Sequence, residues 1–137
     1  MSVEIDVLYE GDLRCLASHG PSKAVFSTDA PTDNGGKGAA FSPTDLVAAS
    51  LASCMLTIMG LAAQRAELDI SGARVRAVKT MTAQPPRRIA ELALVVSLPR
   101  PLEPAQRARL EAAAATCPVK LSLHPEVKVT VKYEYPS

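Results

Sequence analysis

Between Leu46 and Gln64 the chain runs without a single charged residue. A segment this long and apolar either spans a membrane or becomes a helix that protein covers on all sides. The stretch is rich in Ala, Ser, Thr and Gly and lacks the aromatic belt that anchors membrane helices at the interface. It is also the only such segment in a chain of 137 residues. We therefore expect a buried central helix and no membrane partner. Its start is written in Ser42-Pro43-Thr44-Asp45. Ser42 can cap free backbone N–H groups, Pro43 fits the first helical position, and Asp45 can reach back as in a capping box. The helix is expected to continue to about Ala66.

Strands are read on either side of it. Val3, Ile5 and Val7 alternate with Glu4 and Asp6, as a half-buried strand requires. Gly11-Asp12 marks a turn, and Leu13 to Ser18 and Ala24 to Thr28 complete a β-meander. Residues 30–38 form a polar loop in which Gly and Asn permit positive φ. After the helix, strands are expected from Arg74 to Met81 and from Ile89 to Leu98, with a turn at Gln84-Pro85-Pro86-Arg87. Pro104 opens a second helix running to about Thr116, and Cys117-Pro118 interrupts it to start a short third one through Leu123. Val127, Val129, Val131, Tyr133 and Tyr135 alternate with polar residues in a last strand. Strands in blocks at both ends with helices between predict an α+β fold in a single domain, 1–137. One six-stranded sheet would cover the central helix on one side only, so an intimate homodimer is expected.

The bulk numbers exclude several function classes. The formal charge is +1, no basic block occurs, and five Phe and Tyr with no Trp leave little to stack on bases, so no nucleic-acid partner is expected. The N-terminus alternates and does not resemble a signal peptide. Three cysteines without framework spacing argue for the cytoplasm and against a disulfide-stapled secreted domain. There is no Walker loop, G-x-S-x-G or G-x-G-x-x-G. No C-x-x-C is present, and His19 and His124 are isolated, so no metal site is expected.

The cysteines carry the chemistry. Cys15, on an N-terminal strand, reads as core. Cys54 lies twelve residues beyond Ser42, too far into its helix for the positive end to acidify it. A reactive Cys54 needs a cation from elsewhere. Arg14 is the candidate, with Arg65, Arg87 and Arg88 as competitors, and Arg14 also reads as a solvated strand residue. Cys117, before Pro118, sits where a helix N-cap would be, so helix electrostatics alone make it the more acidic thiol. Asp45 lies nine residues before Cys54, about 13 Å along the axis and half way round, so it does not touch Cys54 on the same helix. It reads as a helix cap or as a carboxylate that holds an arginine. These residues do not say which cysteine attacks.

Three pieces in this order resemble the osmotically inducible protein C and organic hydroperoxide resistance (OsmC/Ohr) superfamily. They are Phe41-Ser42-Pro43-Thr44-Asp45-Leu46, Ala52-Ser53-Cys54 and Cys117-Pro118-Val119, supported by Gly35-Gly36 and by Pro-Arg-Arg-Ile at 86–89. The resemblance implies an intertwined homodimer with two central helices at its heart and an active site at each interface. It implies Cys54 as the peroxide-attacking cysteine, Cys117 as the resolving cysteine and Arg14 near the activating arginine. Well-characterised branches carry Glu ten residues before the attacking Cys. Here that position is Thr44 and the acid is Asp45, which resembles the OsmC-like branch.

The activity this implies is reduction of an organic hydroperoxide by Cys54, followed by a disulfide to Cys117. The resemblance implies an external dithiol, such as a lipoyl group, that would restore the enzyme. No metal, flavin or other cofactor is required. Leu51, Met55 and Ile58 near Cys54 would favour alkyl over hydrogen peroxide. Two readings of other classes stand beside it: a binding module for an apolar ligand, and a thiol redox sensor.

Overall fold

The alternation at the N-terminus produces strand β1 (Ile5–Gly11), which pairs antiparallel with β2 (Arg14–His19), and β2 pairs antiparallel with β3 (Val25–Asp29). The computed structural model describes residues 1–137, in two units, 1–47 and 48–137. In the first unit the β1–β2 turn places Gly11, Asp12 and Leu13 at positive φ. The loop after β3 contains one 3-10 turn, Thr32–Asn34, within the stretch expected to be irregular. Its path is fixed by two features. A Cβ at Gly36 would collide with the Ala30 carbonyl oxygen, so only glycine fits there. The Asp29 carboxylate, 1 % exposed, accepts the Ala39 N–H at 3.0 Å.

Helix α1 (Pro43–Arg65) begins where Ser42-Pro43-Thr44-Asp45 placed it. The Asp45 N–H donates to Ser42 Oγ at 3.1 Å, and the Ser42 N–H donates to Asp45 Oδ2 at 2.9 Å. This reciprocal pair satisfies two of the donors that a helix start leaves without partners. The helix has a mean hydropathy of 2.0, yet only 28 % of its most apolar stretch is buried. The buried residues Ala48, Leu51, Met55, Met59 and Ala63 form one stripe at helical spacing. Ser50, Ser53, Thr57 and Leu61 are exposed on another. Cover on all sides, expected from the sequence, is thus replaced within the chain by burial of a single stripe. The hydroxyls on the exposed stripe turn back onto the helix: Thr57 Oγ1 donates to the Ser53 carbonyl at 2.8 Å and Ser53 Oγ to the Ser50 carbonyl at 3.2 Å.

In the second unit β4 (Arg74–Met81) and β5 (Ile89–Ser97) are antiparallel, and β5 is parallel to β6 (Lys128–Glu134), in the order β4-β5-β6. A parallel pair needs a crossover, here supplied by α2 (Pro104–Ala114) and α3 (Pro118–Ser122). Helix α2 starts on a capping box between Glu103 and Gln106. Leu92, Leu94 and Val96 of β5, Leu110 and Ala114 of α2, and Leu51, Met55 and Met59 of α1 are the buried apolar residues of this unit's core. The Tyr135 hydroxyl donates to Glu111 Oε2 at 2.6 Å, and the Arg107 guanidinium lies 4.3 Å from the Tyr135 ring centre. These contacts tie the chain beyond β6 to α2.

The fold is α+β as expected, but its six strands form two three-stranded sheets and not one. The reason is the pairing. Within the chain β1, β2 and β3 pair only with one another, through consecutive antiparallel connections. The later strands likewise close among themselves through the α2–α3 crossover.

Candidate active site

Cys54 stands on α1 between the buried stripe and the exposed one and is half-buried. Its neighbours along the helix divide. Leu51 and Met55 point into the core, 0 % and 1 % exposed, so they line no open approach to the sulfur. Ile58, one turn on, is half-buried like Cys54.

Cys117 comes from the α2–α3 junction. The backbone turns there because Pro118 cannot continue α2. Cys117 takes the N-cap position of α3 with φ −55° and ψ 120°, and its carbonyl accepts the Leu121 N–H at 3.1 Å. Its side chain is 0 % exposed. The structure brings the Cys54 and Cys117 thiols together, close enough to interact through a hydrogen bond.

The acidity of Cys117 is the opposite of what helix electrostatics alone predict. The N–H groups of Lys120 and Val119 do face the sulfur and favour its thiolate, though neither completes a well-formed capping hydrogen bond. Burial outweighs them, and the hydrogen bond to Cys54 acts in the same direction as burial, so the Cys117 pKa is raised above its ordinary 9.0. The sequence shows the helix start but not the depth of burial, which decides the sign. The resulting pair has one accessible sulfur, on Cys54, and one buried thiol, on Cys117, that holds its proton.

The remaining expected residues are placed as follows. Arg14 opens β2 and is exposed, with Asp29 as its partner in register across to β3. Asp45 takes the capping role. Arg65, in the last turn of α1, is exposed. Arg88 holds the chain ahead of β6: its Nη2 lies 3.5 Å from Glu126 Oε2 and its Nη1 donates to the Ile89 carbonyl at 3.1 Å. Arg87 is exposed. Cys15 is half-buried on β2, opposite Tyr9 and Thr28. The structure assembles no group of three or more His, Cys, Asp or Glu positioned to hold a metal ion. Asp29, which shapes the loop ahead of α1, was missed. Its position at the polar end of a short strand gave no sign of burial.

An α+β chain with an accessible thiol on a long helix beside a buried one defines a dithiol protein of a particular architecture. Residues 35–132 match the family profile described as OsmC-like protein, and the chain belongs to that family. A structure from Psychrobacter arcticus 273-4, provisionally described as an osmotic stress induced and detoxification response protein, is similar at 45 % identity and TM-score 0.91. The match covers 95 % of this chain and 94 % of that one. An OsmC-like protein from Mycoplasma pneumoniae shares the fold at TM-score 0.83 and 16 % identity, covering 100 % of this chain and 99 % of that one. So does the organic hydroperoxide resistance protein OhrB of Bacillus subtilis, at TM-score 0.72 and 15 % identity, covering 98 % of each. No curated protein matches in sequence.

Proposed function

We propose that this protein is a thiol peroxidase that reduces organic hydroperoxides to alcohols in defence against peroxide stress. The observation that carries the reading is the paired thiols, with Cys54 accessible and Cys117 buried and protonated beside it. The Cys54 thiolate attacks the terminal peroxide oxygen. The O–O bond breaks, the alkoxide takes a proton and leaves as the alcohol, and Cys54 is left as a sulfenic acid. The Cys117 sulfur then displaces hydroxide from Cys54, which departs as water with the Cys117 proton, and a disulfide forms. An external dithiol, of which a lipoyl group is the natural example, returns two electrons. No metal or organic cofactor enters. Arg14 is assigned as the cation that would receive the departing oxygen's charge, and Asp45 caps the start of the helix that carries Cys54. Family membership supports the reading, as does the hydroperoxide resistance named for structural relatives.

The working form we propose is a cytoplasmic homodimer. By register, Ile5, Val7, Tyr9 and Phe26 share one face of the first sheet, and they are 66, 60, 61 and 50 % exposed. Apolar side chains this open on one face mark a surface that a partner covers. The exposed stripe of α1, with its small hydroxyl residues, suits protein cover better than lipid.

Steady-state turnover of cumene hydroperoxide with dihydrolipoamide tests the proposal. Wild type is expected to turn over, and Cys54→Ser to be inactive. Equal peroxide consumption by Cys54→Ser would remove Cys54 from the chemistry.

A further inference from the structure

The difference in exposure between the two sulfurs has a consequence for the second half of the cycle, once both are joined in the disulfide of the proposed reaction. Thiol–disulfide exchange requires the incoming thiolate to approach one sulfur roughly along the S–S axis while the other departs. Which sulfur is attacked depends on access, and which departs depends on how well its charge is received. Access decides here, because burial disfavours the Cys117 thiolate more than its backbone N–H groups favour it. In the single chain Cys54 is half-buried on the flank of α1, between its buried and exposed stripes, and retains exposed surface, whereas Cys117 has none. We infer that the reductant enters at Cys54 Sγ and that Cys117 is the leaving thiolate.

The surroundings of Cys117 act on a departing anion in two senses, burial opposing it and two backbone N–H groups easing it. The N–H groups of Lys120 and Val119 face its sulfur and are the features that favour its charged form. In the reduced resting pair burial prevails and the thiol keeps its proton. At the moment of departure the same N–H groups receive the charge, and burial then drives protonation, which keeps Cys117 from attacking the mixed disulfide and re-forming the intramolecular one. The step balances as follows. A reductant thiolate forms a bond to Cys54 Sγ, the Cys54–Cys117 bond breaks, and the electron pair leaves on Cys117, which takes up a proton. The reductant's second thiol then attacks its own sulfur in the mixed disulfide, closing a cyclic disulfide and releasing the Cys54 thiolate. Two electrons pass from dithiol to protein. Peroxide and reductant therefore use the same sulfur in turn, and an adduct of a monothiol on Cys54 blocks both half-reactions.

The assignment rests on the disulfide of the proposed function, so the test forms that bond without peroxide. Full-length protein is oxidised with diamide, Cys15 is capped with N-ethylmaleimide, and 2-mercaptoethanol is added. Samples are quenched in acid, alkylated with iodoacetamide and mapped by mass spectrometry. The expected result is mercaptoethanol on Cys54 and carbamidomethyl on Cys117, in at least about tenfold excess over the reverse. Mercaptoethanol mainly on Cys117, or equally on both, overturns the assignment while leaving the peroxidase reading intact. If diamide yields no Cys54–Cys117 disulfide, the assignment falls together with the reading on which it rests. A second measurement needs no disulfide. With 5,5′-dithiobis(2-nitrobenzoic acid), Cys117→Ser, which keeps Cys54, is expected to react at least about tenfold faster at that site than Cys54→Ser does at Cys117. Equal rates overturn the access argument.

Discussion

Replacing Leu51 by alanine should destabilise the protein severely, while the same change at Leu61 should not, although both leucines sit on the same apolar helix. Leu51 is 0 % exposed and lies in the stripe with Ala48, Met55 and Met59, whereas Leu61 is 43 % exposed. Truncation at Leu51 removes three carbons, one methine and two methyls, from the core, about 2.4 kcal/mol by transfer alone. The cavity left behind raises the cost to about 3–5 kcal/mol. Alanine's better helix propensity returns only about 0.2 kcal/mol. For a chain of this size each kcal/mol moves Tm by about 3 °C, so Leu51→Ala should melt roughly 10–15 °C below wild type. Leu61→Ala loses only partly buried surface, so its cost in the single chain should stay under about 1 kcal/mol. The assay is urea unfolding followed by circular dichroism, run at several protein concentrations to separate folding from association. Equal costs at the two positions, or a cost at Leu51 below about 1 kcal/mol, would refute the one-stripe account of α1.

Other expectations follow from single contacts. Ser42→Ala removes the acceptor for the Asp45 N–H at a position 1 % exposed, and should cost about 1–2 kcal/mol in urea unfolding, with little change in thiol reactivity. Cys54→Ala removes the hydrogen bond that helps raise the Cys117 pKa, so the pH midpoint for Cys117 alkylation should fall relative to wild type. An unchanged or higher midpoint would contradict the contact. Burial, then the hydrogen bond to Glu111, raises the pKa of Tyr135 above its ordinary 10.0. The neutral phenol's contribution is therefore complete below pH 10 and is lost as pH rises through the folded-state value. Tyr135→Phe should lower stability at pH 7 and flatten the fall in Tm above pH 10.

What the sequence disclosed and what it concealed divide along physical lines. Strand and helix positions were legible because they are written locally: alternation in β1 and β6, the Ser42/Asp45 cap, and prolines at 43, 104 and 118, each the first residue of a helix. The split into two sheets was not, because strand pairing is decided by partners far apart in the chain. The burial of one stripe of α1 was hidden for a related reason. A helix apolar all round carries no periodic signal to say which side faces its own core. At the site, the motif pieces pointed to Cys54 and Cys117, and the structure sets these thiols side by side. The raised Cys117 pKa was not legible, because a helix start is visible in Cys117-Pro118 while desolvation depends on everything packed around it. Asp29, buried at the end of β3, had no local signature at all.

The central claim is that Cys54 and Cys117 together reduce an organic hydroperoxide. Single-turnover mass spectrometry of the fully reduced protein tests it most directly. On addition of one equivalent of cumene hydroperoxide, the account predicts loss of the mass of two hydrogen atoms, a Cys54–Cys117 disulfide peptide, and release of cumyl alcohol in equal amount. In Cys117→Ser, a dimedone-reactive sulfenic acid should accumulate on Cys54. A protein whose thiols stay reduced under these conditions, or whose oxidation falls on Cys15 while Cys54 and Cys117 remain free, would contradict the claim.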